Sequence, residues 1–271
     1  MIYLVAGATG TVGRHVVQTL HEAGHEVRAL TRDPAKATFP DGVSAIAGDL
    51  STLDAVIPAL DGVVGVHLVN FGGGENYGPL ENGVELVRAM ESAGVRKVSM
   101  LAGWNESTLE SAVWDSGLEW AQVLPTAFMS NSFDHADKIR GGEVRAPFVD
   151  VKTADVHEGD IGAVCAHVLM DEGHGGAKYG LTGPQRLSLR EKIDIFGEAL
   201  GRDIRLIEQT AEEARVSMSQ EGVPADMIEF LLEVFSAPPV EANTVNDNVE
   251  KVTGRPARSF VEWVTEHADR F

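Results

Sequence analysis

A single cysteine among 271 residues, Cys165, excludes any disulfide within the chain. It stands in DIGAVCAHVLM, an apolar stretch with helical spacing, and reads as a small buried hydrophobe rather than a nucleophile. Positive charge is also scarce: 22 Lys and Arg face 41 Asp and Glu, a net charge of −19. Such a surface repels phosphate backbones and anionic lipid heads, which argues against nucleic-acid and membrane partners. Long apolar runs are missing too, and VVGVHLVNF (63–71) is far too short to span a bilayer. The chain opens MIYLVAG, a strand leading straight into glycine, which leaves no room for a signal peptide. A soluble, cytoplasmic protein is expected.

What is present is a large apolar fraction, 44%, enough to fill one substantial core. The first half alternates apolar strands with amphipathic helices. IYLVA (2–6) precedes a glycine turn, and Val12, Val16, Val17 and Leu20 then recur at helical spacing. HEVRAL, VSAIAGDL and VVGVHLV read as further strands, with TLDAVIPAL as a helix before the last of them. A helix over 81–94, the strand KVSMLA, a helix over 106–116 and the strand LEWAQVLP complete the series. Strands of this kind separated by helices specify an α/β fold, a doubly wound parallel sheet covered on both faces. Beyond Pro125 the pattern predicts a loop-rich stretch to about 155, a helix at DIGAVCAHVLM and a short strand KYGLTG. A helix over 189–200, a strand RDIRLIEQ and further helices follow. The expected organisation is a Rossmann-type domain over 1–155, with a smaller mixed α/β lobe over 156–271 on the substrate side. No linker separates the two, so the lobe is expected to be integrated with the first domain as an elaboration of one fold.

GATGTVG sets Gly7, Gly10 and Gly13 between the first strand and the first helix. A turn free of side chains lets the backbone approach a pyrophosphate. The N–H groups of Thr9, Thr11, Val12 and their glycine neighbours then face the phosphates at a helix start, where the dipole favours negative charge. The spacing therefore points to a dinucleotide. The end of the second strand selects its type. An acid there would hold the ribose diol of NAD, whereas an Arg accepts the 2′-phosphate of NADP. Arg32, with Arg14 in the loop, leans toward NADP(H), while Asp33 could still serve NAD. Asp49 and Leu50, after the third strand, fall beside the expected adenine position, although Asp49 could equally cap a helix. Asn70 and Phe71 end the fourth strand, where ligands bind in open α/β sheets, and GGG at 72–74 would let a ring approach closely.

Two histidine patterns suggest other chemistry. HEAGH (21–25) matches the zinc-protease motif H-E-x-x-H, but Gly24 falls where the helix should end, so His21 and His25 would not share a face. No metal site is expected. His157 precedes Glu158 and Asp160 at a helix start and could reach a site as a base, with Asp160 as a simple N-cap.

VAGATGTVGR, VRALTRDP, AGDL, PTAFMSN, HEGDIGAV and YGLTGP resemble the NmrA-like family of atypical short-chain dehydrogenases/reductases. The likeness runs through nearly the whole chain, down to VTGRPARSFVEWVTEH. It implies an NAD(P) cofactor, with Gly7, Gly10 and Gly13 at the pyrophosphate, Arg32 and Asp49 at the adenosine half, and Asn70, Phe71 and Thr126 at the nicotinamide. Typical relatives place a Tyr-x-x-x-Lys pair beside the nicotinamide, the Lys lowering the pKa of the proton-passing Tyr. Here four residues past Tyr3, Tyr77 and Tyr179 stand Gly7, Glu81 and Gly183, and the matching positions hold Ala102 and Glu106. The pair is absent. That disfavours alcohol–ketone interconversion and leaves acceptors needing little acid assistance, such as quinones and polyphenols. Trp104, Phe128, Met129 and Asn131 are the expected substrate wall, with Phe128, Met129 and Phe133 alternatively core; Asn105, Trp104 and His157 are the catalytic candidates. The family includes quinone and aromatic-ring reductases, natural-product tailoring enzymes and nucleotide-binding sensors. The expectation is a reductase or flavin-free monooxygenase acting on a small aromatic substrate, an aromatic polyketide among them, with a non-catalytic redox sensor as the alternative. Whether it works as a monomer or a homodimer stays open.

Overall fold

The computed structural model describes residues 1–71, 78–102 and 107–271. In chain order the first elements are β1 (Ile2–Val5), α1 (Gly13–Glu22), β2 (Glu26–Thr31), β3 (Ser44–Ala47), α2 (Leu53–Val56) and β4 (Val63–Val69). They continue with α3 (Gly83–Ser92), β5 (Lys97–Leu101), α4 (Thr108–Trp114), β6 (Glu119–Pro125), α5 (Ala136–Arg140), β7 (Glu143–Ala146) and β8 (Lys152–Thr153). Next come α6 (Glu158–Met170), β9 (Ala177–Leu181), β10 (Leu187–Ser188), α7 (Leu189–Leu200) and β11 (Arg205–Glu208). The chain closes with α8 (Ala211–Gln220), α9 (Ala225–Ser236), α10 (Asn248–Thr253) and α11 (Phe260–Glu266).

Two compact units emerge, and both are discontinuous in sequence. The first comprises residues 1–125, 158–181 and 248–255. Its parallel sheet runs β3-β2-β1-β4-β5-β6-β9, so the direction of winding reverses between β1 and β4. Leu4, Leu30, Leu68, Leu86, Met90, Met100 and Val113 belong to one apolar cluster of this unit, to which α3 and α4 contribute. Pro58 follows α2 and the chain tightens there into a 3₁₀ turn, since proline donates no helical hydrogen bond. α4 opens with a capping box in which Ser107 and Glu110 satisfy each other's backbone groups.

The boundary expected near 155 is not where the chain divides. All of α6 except His167 and Met170 is buried, and it packs with α1, β4 and β5 in the first unit. A helix whose apolar residues from Ile161 to Leu169 lie all round it must be covered on nearly every side. KYGLTG likewise contributes β9 to the main sheet, pairing in parallel with β6 from Ala121↔Ala177 to Pro125↔Leu181. The second unit therefore consists of 126–157, 182–247 and 256–271. It holds two small ladders, β11 with β7 and β10 with β8. Its core gathers Ile139, Val144, Ile193, Phe196, Phe260, Trp263 and Phe271. The stretch expected to be loop-rich contains α5, β7 and β8, elements of five, four and two residues that are too short to show a period.

Candidate functional site

The glycine turn follows β1, beside the strand where the sheet reverses direction. Gly7 takes φ +61°, a left-handed conformation that glycine adopts without penalty, and the Gly10 N–H donates to the Gly7 carbonyl over 2.8 Å. A Cβ on Gly13 would stand 2.1 Å from that same carbonyl oxygen, so no side chain fits. Val12 is the N-cap of α1 and no side chain caps the helix. The first turn thus presents amides and a positive dipole end, as a pyrophosphate requires. Gly7, Thr9 and Gly10 are exposed, Thr11 is half-buried, and Val12 and Gly13 are buried. The residues present fit the phosphates of a dinucleotide.

The other first-unit candidates follow the C-terminal ends of neighbouring parallel strands. Arg32 is exposed beyond β2, and Asp33 Oδ2 lies 2.9 Å from Lys36 Nζ. Asp49 Oδ1 accepts from the Ser51 N–H (2.9 Å) and the Ser51 hydroxyl (2.6 Å), so that oxygen shapes the turn ahead of α2. Leu50 is buried and its carbonyl accepts from Asn82 Nδ2. Asn70, only 2% exposed, donates from Nδ2 to Glu110 Oε1 over 2.6 Å. Phe71 stays 39% exposed and bridges Pro79. Glu110 is a participant that the sequence pattern did not reveal. Its box spacing, Ser107-x-x-Glu110, is local, but its reach to an asparagine 40 positions away is not. Trp104, Asn105 and the glycines at 72–74 lie outside the described residues.

Thr126, Phe128, Met129, Asn131 and His157 belong to the second unit. Thr126 and Phe128 are half-buried and Asn131 is exposed. Met129, expected as substrate wall, is 2% exposed and packs in that unit's core. Phe133, also half-buried, packs on the same core beside Trp263 and Phe271. His157 is fully buried, with Nε2 3.2 Å from Glu266 Oε2 and 3.4 Å from Arg258 Nη1. Burial and these contacts give it a structural setting, unlike the open one expected of a base.

Neither described tyrosine stands free as an acid. Tyr3 is buried within β1, where desolvation pushes its pKa up, and the Tyr179 hydroxyl lies 2.8 Å from His174 Nδ1. Cys165 is buried and its thiol is pushed up to about 12 by desolvation, which keeps it unreactive. α1 ends at Glu22, and the His25 ring turns against Tyr3, with centroids 5.1 Å apart, so His21 and His25 share no helical face.

A doubly wound sheet with a glycine cradle beside its reversal defines an NAD(P)-binding α/β protein. Comparison with known proteins agrees, since residues 7–108 match a family described as NAD(P)H-binding. An NAD(P)H azoreductase of Xenophilus azovorans is 35% identical, the alignment covering 99% of this chain and 98% of the relative. A (4-alkanoyl-5-oxo-2,5-dihydrofuran-3-yl)methyl phosphate reductase of Streptomyces griseus is 36% identical with the same coverages. The NADPH complex of a quinone oxidoreductase from Escherichia coli shares the fold at a TM-score of 0.80, with 21% identity over 98% of this chain and 99% of that one. The chain belongs to the NAD(P)H-binding family of those two reductase relatives. It is an NAD(P)-binding oxidoreductase. Among the described residues no helix is long and apolar enough to cross a membrane.

Proposed function

We propose that this enzyme is an NADPH-dependent reductase of flat, conjugated electron acceptors, quinones and azo dyes foremost. The observation that carries the reading is a pyrophosphate cradle, Gly7-Gly10-Gly13, in a chain without the Tyr-x-x-x-Lys pair. Bound NADPH supplies a hydride. Thr9 to Gly13 hold the pyrophosphate with backbone amides, and Arg32 pairs with the 2′-phosphate. The preference for NADPH over NADH rests on Arg32, exposed beyond β2. Asp49 and Leu50 flank the adenine, while Asn70 and Phe71 border the nicotinamide, Asn70 steadied by Glu110.

A reduced quinone leaves as a resonance-stabilised phenolate, so the missing acid costs little and water completes the protonation. Azo nitrogens conjugated to aryl rings accept a hydride by the same logic. The two relatives named above are both called reductases, which supports reduction over oxygenation or a purely sensory role. Neither name points to an aromatic polyketide.

NADPH absorbance followed without air, with a naphthoquinone and with the azo dye methyl red, tests the reading. Turnover of either acceptor, faster with NADPH than with NADH, is the expected result. Tight NADPH binding with no turnover of either would overturn it and favour a sensor, whereas substrate change only in air would favour oxygenation.

A further inference from the structure

Within the second unit, the backbone of the segment carrying Thr126, Phe128 and Met129 is hydrogen-bonded to one strip of chain. Val156 N–H donates to the Ala127 carbonyl (2.8 Å), Met129 N–H donates to the Val156 carbonyl (3.0 Å), and Phe128 and Val156 form a parallel bridge. The Thr126 hydroxyl donates to the Ala154 carbonyl over 3.3 Å. These bonds tie the segment 126–129 to the strip 153–156.

In the strip, the Ala154 N–H donates to the Ala242 carbonyl, the Ala154 carbonyl accepts from the Gly183 N–H, and β8 pairs with β10. A buried polar cluster adds a side-chain anchor. Lys192 Nζ pairs with Asp155 Oδ2, and their side chains are only 13% and 9% exposed. The Thr153 hydroxyl donates to Asp155 Oδ1 over 2.6 Å, and Lys192 Nζ reaches the same hydroxyl oxygen at 3.3 Å. Met129, Pro184, Gln185, Leu187 and Phe260 wall the recess around them. Lys192 projects from α7, a twelve-residue helix anchored at its start by the Ser188–Glu191 capping box. Burying a charged pair in apolar surroundings gains little stability over an apolar pair of the same shape. Apolar contacts tolerate sliding, whereas three hydrogen-bonded groups define one register.

We propose that Lys192, Asp155 and Thr153 form a positioning clamp that sets the 126–129 segment for acceptor binding. The proposal rests on the proposed reductase function and on Phe128 of that segment as the expected substrate wall. Lys192 is a positioning residue and touches no reacting atom.

Backbone amide exchange and steady-state kinetics on the full chain test the clamp, comparing wild type, Lys192→Met and Lys192→Arg. The double variant Asp155→Asn/Lys192→Met leaves no buried charge unpaired and replaces Lys192→Met if that single variant does not fold. Exchange at the Met129 and Val156 amides should quicken roughly tenfold in Lys192→Met, with Val98 and Ala121 in the main sheet unchanged. With NADPH and a naphthoquinone, KM for the quinone should rise about fivefold or more while KM for NADPH stays put. Lys192→Arg, which keeps the charge, should recover most of that loss. Unchanged exchange at both amides, exchange that quickens evenly across the chain, or local quickening without a change in quinone KM would each overturn the clamp. If the wild type reduces neither quinone nor azo dye, the proposed function fails, and the two amides alone decide whether the clamp exists.

Discussion

Lowering the pH should destabilise this protein through one histidine, His67, well before its carboxylates begin to titrate. His67 lies on β4, three residues ahead of Asn70, and is wholly buried. Its Nδ1 is 3.1 Å from Ser99 Oγ, and its Nε2 has no hydrogen-bond partner. Burial lowers its pKa from 6.5 to about 4, because an imidazolium there would lose its hydration without gaining a partner. In the unfolded chain the ring takes a proton near pH 6.5, and in the folded chain only near 4. Between those values the unfolded state binds more protons, so stability is full above about pH 6.5 and falls as the pH drops toward 4. At about 1.4 kcal/mol per pH unit, the complete loss is about 3 kcal/mol. The assay is urea unfolding followed by tryptophan fluorescence from pH 8 to pH 4.5, in wild type and in His67→Leu. The difference between the two proteins is the quantity to read, since the net charge of −19 shrinks over the same range in both. His25 and His135, also lowered by burial, cancel in that difference. A wild-type curve parallel to that of His67→Leu, or an NMR titration placing His67 near 6.5, would refute the reasoning.

Gly13→Ala sets a methyl group 2.1 Å from the Gly7 carbonyl oxygen, and NADPH binding, read by fluorescence titration, should be lost while far-UV circular dichroism persists. Arg32→Ala should weaken NADPH binding about tenfold or more and leave NADH nearly untouched, as the loss of one charge-assisted phosphate contact predicts; equal loss for both nucleotides would remove Arg32 from the 2′-phosphate. Phe271→Ala removes a buried ring that lies 4.6 Å from Phe196 and 5.4 Å from Phe133, centroid to centroid, and should cost about 3–5 kcal/mol in a denaturation experiment.

The parts legible in residue order alone are those whose physics is local. A strand, a glycine turn and a helix within twenty residues carry their own geometry, so the pyrophosphate cradle and the alternation of the first sheet can be read directly. The helix expected over 189–200 is α7 as observed, because Ser188, Glu191 and Gly201 mark its ends with short-range hydrogen bonds and a left-handed cap. HEAGH can be set aside for the same reason, a glycine stop inside the motif.

The chain alone therefore determined the class of cofactor and the missing Tyr–Lys pair, since both depend on residue type at fixed short spacing. Tertiary structure decided what pairing across long separations decides. β9 joins the sheet in parallel beside β6, with α6 as the crossover between them, and α6 enters the first unit because its apolar residues lie on nearly every side. Asn70 is steadied by Glu110, His157 is buried beside Glu266 and Arg258, and Asp155 meets Lys192 across 37 positions. No local pattern encodes these contacts; they arise only when separate segments compete for the same buried volume and each buried polar group must find a partner.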